Sequence, residues 1–112
     1  MRKKDNLNYV KKVIEYCDIV NELLNEYGND YLIFQSSKSF QLSTSMCIIQ
    51  IGEYVNRIDE NYREEHDFIP WKKIRGMRNI ATHQYDKFDF KILWYTLTVE
   101  IPELREQLLS LI

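Results

Sequence analysis

The stretch at residues 5–27, DNLNYVKKVIEYCDIVNELLNEY, decides the fold. Val10, Val13, Ile14, Cys17, Val20 and Leu24 recur in it at intervals of three and four, the period that lines one face of an α-helix. Lysines, glutamates and asparagines take many of the other positions. Asp5 is a candidate cap for the start, and Gly28-Asn29 is a stop signal, because glycine takes the left-handed conformation that ends helices. A helix this long must bury its stripe against another element. The rest of the chain offers more helices and no strand hairpin.

Working outward, Asp30 to Phe34 reads as a short turn of helix ending at Ser36-Ser37. A second long helix is predicted over 38–58, with Phe40, Leu42, Met46, Ile49, Val55 and Ile58 facing inward. Gly52 lies in its middle. Glycine there costs roughly 1 kcal/mol against alanine, so a close approach by another helix is expected to compensate. The polar stretch Asp59 to Asp67 is the longest loop candidate. Ile69-Pro70-Trp71 opens a third helix, since proline is tolerated in a first turn whose N–H would have no partner. That helix runs to Thr82 or His83. Asp86-Lys87-Phe88-Asp89 breaks it, and Asp89 is an N-cap candidate for a last helix over 90–111. Pro102 should kink that helix or divide it at Ile101. The expected fold is all-α, an antiparallel four-to-five-helix bundle, with residues 1–112 as a single domain.

The net charge of −2 gives no global basic field for nucleic acid. The charge is uneven, however. Lys72, Lys73, Arg75 and Arg78 crowd one segment, and Asp59, Glu60, Glu64, Glu65 and Asp67 lie just upstream. Either a local cationic face or a merely solvated helix face fits that pattern. Cys17 and Cys47 both fall in apolar helical stripes, where cysteine behaves as a small buried hydrophobe. No apolar run has the length of a signal peptide or a membrane span, which makes the cytoplasm the expected location.

One segment carries chemistry: Arg78-Asn79-Ile80-Ala81-Thr82-His83-Gln84-Tyr85. Histidine moves protons near neutral pH, and arginine offers a permanently charged fork to phosphate oxygens. RNA cleavage without a metal needs those two functions: moving the 2′-hydroxyl proton and stabilising charge on the pentacovalent phosphorus. Taken alone, an Arg and a His this close are more often a surface residue and a cap. On an ideal helix Asn79 and His83 share a face, whereas Arg78 is turned by ~140° from His83 and offset by ~7.5 Å along the axis. Either the helix ends before His83, or the two groups meet across a two-fold axis between two copies.

With these residues in view, the chain resembles the HepT-type HEPN toxins. The resemblance rests on Ile69-Pro70-Trp71, on Ile74-Arg75-Gly76-Met77-Arg78-Asn79, and on His83-x-Tyr85. Ile51-Gly52-Glu53 upstream, and Trp94 with Ile101-Pro102-Glu103-Leu104 downstream, match the same pattern, so it covers nearly the whole chain. The resemblance implies an all-helical homodimer with the active cleft at its interface. It also implies an endoribonuclease that needs no metal or other cofactor, acting on transfer or messenger RNA. By motif position Arg78 and His83 would be the catalytic pair, with Asn79 as a supporting polar neighbour. Tyr85 would be the tyrosine that a small MntA-like nucleotidyltransferase antitoxin modifies with AMP. An AMP group there would place a bulky anion two residues from His83, blocking RNA and competing for Arg78. The alternative is a non-catalytic helical binding module that serves the nucleotidyltransferase as its acceptor subunit.

Other positions carry less. Lys72, Lys73 and Arg75 are candidates for contacts to the RNA backbone. His66 reads as a solvated loop histidine, and no His or Cys spacing suggests zinc. Trp71 and Trp94 read as core or interface aromatics. Glu53 either reaches a neighbouring helix or subunit or, more simply, faces solvent.

Overall fold

A computed structural model of the chain describes residues 3–82 and 90–112. The described residues form helices joined by short turns, with no strand among them. Helix α1 spans Lys3–Tyr27, α2 Tyr31–Ser36, α3 Lys38–Arg57, α4 Glu60–Glu65 and α5 Trp71–Thr82. After the undescribed stretch 83–89, α6 (Phe90–Tyr95), a π-helical turn (Thr96–Glu100) and α7 (Ile101–Leu109) follow without a break. The all-α bundle expected from the periodicity is thus what forms, with α3 packed between α1 and α5, and α7 against α1.

The stripe of α1 is buried as its spacing predicted, from Val10 through Leu24. Gly28 ends the helix at φ +101°, its N–H reaching the Leu24 carbonyl. Asp5 is not the cap; the helix already includes Lys3, so Asp5 lies in its first turn and favours the positive end of the helix dipole instead. Asp30 caps α2 by accepting from the Leu32 N–H, and Ser37 caps α3 by accepting from the Phe40 N–H. Phe34, Phe40 and Trp94 pack edge-on or tilted at 5.1–6.1 Å, tying α2 and α3 to α6.

Two further expectations need correction. Leu42 and Met46 are not inward: they are 41% and 56% exposed. The face of α3 that packs on its neighbours carries Gln41, Thr44 and Ser45 instead. Burying Gln41 and Thr44 is tolerable because Thr44 bonds back to the Phe40 carbonyl, and Gln41 caps the last carbonyls of α2. The second correction concerns residues 59–67, where α4 interrupts the expected loop. Arg63 from α4 donates to the Val55 and Ile58 carbonyls and so closes the end of α3. The Trp71 indole N–H donates to the Arg63 and His66 carbonyls and closes α4 in turn. His66 sits at that end with its ring 4.5 Å from Tyr62, a structural position. At Pro102 the boundary falls where expected, with α7 beginning at Ile101. The turn before it is π-helical, and the Ile101 N–H bonds to the Thr96 carbonyl five residues back.

Cys17 and Cys47 are buried in the core, as expected of apolar positions. Burial pushes the Cys17 thiol up to about 12 and the Cys47 thiol to about 11. Trp71 is buried, and Trp94 is half-buried against Tyr31, Phe34 and Phe40. Among the described residues, no helix is long and apolar enough to cross a membrane.

Candidate active site

Helix α5 carries the site because its two faces are chemically distinct. Trp71, Ile74, Met77 and Ala81, spaced at three and four, are buried. Lys72, Lys73, Arg75, Arg78 and Asn79 are exposed. The basic run is therefore exposed, with the acidic residues upstream close to part of it: Glu60, Glu64 and Asp67 border one depression together with Lys72, Lys73 and Arg75.

Gly52 fixes how close α5 comes to α3. A Cβ placed on it would lie 2.9 Å from the Arg78 Cβ, closer than two carbon atoms pack. The mid-helix glycine thus marks the close approach expected of it, and the residue it admits is Arg78. The next residue on α3, Glu53, forms an ion pair with the Arg78 Nε. The pair is half-open to water, with Arg78 51% and Glu53 40% exposed. Its worth lies in holding the guanidinium in one place more than in stability. Glycine brings the backbones together, and glutamate orients the side chain that arrives.

Arg78 and Asn79 share a groove between α3 and α5 with Lys72, Arg75 and Gly76 on one wall and Glu53 and Asn56 on the other. Its volume is about 370 Å³. The structure brings together four of the residues singled out in the sequence: Arg78, Asn79, Lys72 and Arg75. Lys73 is drawn elsewhere. Its ammonium pairs with Glu100 in the π turn, whose carboxylate also accepts from the Thr96 hydroxyl at 2.8 Å. The lysine's own hydrogen bond to Glu100, with the charge of that carboxylate, raises its pKa. His83 and Tyr85 lie outside the described residues. Among the described residues, no group of three or more His, Cys, Asp or Glu side chains is placed to hold a metal ion.

Glu53 is the residue that sequence reasoning undervalued, since solvent exposure was the simpler reading. The signal that could have found it was its place beside Gly52. A helix that needs glycine at one position has a neighbour close by, and the next residue flanks that contact.

A groove lined by Lys72, Arg75 and Arg78 suits a phosphate backbone, and the comparisons with known proteins point to ribonucleases. The model of the family described as ribonuclease HepT-like matches residues 13–111. A protein of Methanocaldococcus jannaschii named "Putative RNase MJ1216" is 33% identical over 96% of this chain and 87% of its own length. "Putative RNase TTE0752" of Caldanaerobacter subterraneus is 30% identical over 88% of this chain and 87% of its own. "Probable ribonuclease HepT" of Thermococcus cleftensis is 26% identical over 92% of each. No solved structure matches significantly. With matched residues that take in α3, α5, the groove between them and the Arg78–Tyr85 segment, the chain belongs to the ribonuclease HepT-like family.

Proposed function

We propose that this protein is a metal-independent endoribonuclease toxin of a toxin–antitoxin pair, a single cytoplasmic domain cleaving cellular transfer or messenger RNA. The observation that carries the reading is the placement of Arg78: an exposed guanidinium on a cationic groove, set there by Gly52 and Glu53. In this reading His83 takes the proton from a ribose 2′-hydroxyl, and the freed oxygen attacks the adjacent phosphorus. Arg78 stabilises the extra negative charge on the phosphorane oxygens. The bond to the 5′-oxygen breaks and that oxygen takes up a proton, leaving a 2′,3′-cyclic phosphate and a 5′-hydroxyl. Asn79 supports the pair as a hydrogen-bonding neighbour.

Because Arg78 and His83 stand five residues apart, the working site is composite, formed between two copies of the chain. The cations Lys72 and Arg75 hold the RNA backbone beside it. A nucleotidyltransferase antitoxin of the MntA kind neutralises the toxin by transferring AMP to the Tyr85 hydroxyl. The bulk and charge of that group would exclude RNA and engage Arg78. Incubating purified, unmodified protein with total RNA in EDTA, beside its His83→Ala variant, tests the reading. Cleavage by the natural chain alone is the expected result.

A further inference from the structure

The chain has three glycines, and two of them are explained inside the fold. Gly28 turns the chain at positive φ, and Gly52 admits Arg78. Gly76 does neither. It sits in the interior of α5, where glycine is destabilising relative to alanine, and its φ is not positive. A Cβ built on it meets no atom of the described residues within 4 Å. Among the described residues, then, nothing fills the space in front of Gly76.

Its surroundings say what would fit there. Lys72 lies one turn before Gly76 and Asn79 one turn after, so both share its face, with Arg75 beside it. All of these line the groove between α3 and α5. The groove's one carboxylate, Glu53, is already paired with Arg78, leaving the wall around Gly76 cationic. A second copy that completes the site at Arg78 would leave the wall around Gly76 uncovered, because setting Lys72 and Arg75 against their own equivalents costs free energy. A phosphodiester is complementary to it.

We infer that Gly76 is the floor of a subsite for an RNA backbone phosphate, next to the one held by Arg78. The missing side chain lets the strand lie directly on the helix while Lys72 and Arg75 supply the charge. This rests on the ribonuclease reading and adds to it a second, non-reacting phosphate position. A methyl group at Gly76 would hold the strand off by about 1.5 Å, the length of the added bond.

The test is Gly76→Ala in the His83→Ala background, using a single-stranded RNA oligonucleotide in EDTA. Three quantities are measured: melting temperature, oligomeric state by sedimentation, and RNA affinity as a function of salt. The variant should melt at a higher temperature than its parent, because alanine suits a helix and meets no neighbour. It should nevertheless bind RNA about tenfold more weakly, with a log K against log salt slope shallower by about 0.7, the loss of one phosphate contact. Unchanged affinity in the stabilised variant overturns the subsite and leaves the ribonuclease reading standing. Weakened binding accompanied by a changed oligomeric state also overturns it, assigning Gly76 to a contact between copies. If the natural chain does not cleave RNA and the parent variant does not bind it, both inferences fall together.

Discussion

Gly52→Ala is the substitution whose outcome the structure specifies most closely. The added methyl carbon would stand 2.9 Å from the Arg78 Cβ, against an optimum of about 3.5–4.0 Å for two carbons. The atom it meets is not the end of a flexible side chain. It is the first side-chain carbon of a helical residue, so α5 itself must retreat, by about half an ångström or more. Overpacking of this kind costs about 1–3 kcal/mol. Alanine recovers about 1 kcal/mol of helix propensity. The net expectation is a loss between about zero and 2 kcal/mol, or a melting temperature lower by up to roughly 8–16 °C at the scale of a domain this small. The larger effect should fall on cleavage. A misplacement of about 1 Å can cost on the order of a hundredfold in rate, so half of that points to about tenfold. Thermal denaturation followed by circular dichroism, with single-turnover cleavage of a defined RNA, reads both quantities. A variant that is more stable than the natural chain and cleaves at its rate would refute the close-approach account.

Glu53→Gln removes the charge that orients Arg78 while keeping the shape. Because the pair is half-exposed, stability should change by less than about 1 kcal/mol, whereas the single-turnover cleavage rate should fall severalfold or more. Lys72→Ala and Arg75→Ala should each flatten the salt dependence of RNA binding by about 0.7 in slope, while Lys73→Ala, whose ammonium is held on Glu100, should change it much less. Cys17, its thiol pushed up to about 12 by burial, stays protonated at neutral pH and should resist iodoacetamide at pH 7.5 in the native protein. Adding urea should expose it, and intact mass distinguishes the two. Rapid labelling under native conditions would place Cys17 outside the core.

What was legible in the sequence was whatever repeats with the helix period or is punctuated by a special residue. The stripe of α1, the stop at Gly28 and the amphipathic split of α5 are of that kind. Gly52 belongs with them, since glycine inside a helix signals a neighbour even when the neighbour is unnamed. The features that escaped depend on partners distant in the chain. Nothing in ENYREE predicts helix α4, because it is tied in by Arg63 reaching back to the end of α3 at Val55, and its own end is closed by Trp71 reaching back to Arg63. The outward turn of Leu42 and Met46 was hidden because hydropathy ranks them above Gln41, Thr44 and Ser45. Gln41 and Thr44 are buried with their hydrogen bonds made, to carbonyls of α2 and of α3 itself, whereas the buried Ser45 hydroxyl has no partner among the described residues. Pro102 marked the change at Ile101 but not its form, since the π turn before it depends on the Ile101 N–H reaching Thr96 and on no special residue. At the candidate site Arg78 was identified by its type and spacing, whereas the ion pair with Glu53 joins residues 25 positions apart on different helices.

The central claim is that Arg78 and His83 cleave RNA without a metal. Its most direct test compares the natural chain, confirmed by intact mass to be unmodified at Tyr85, with His83→Ala on total RNA in EDTA. The account predicts cleavage by the natural chain only, with fragments ending in 2′,3′-cyclic phosphate. Equal cleavage by both proteins, or none by either, would contradict it.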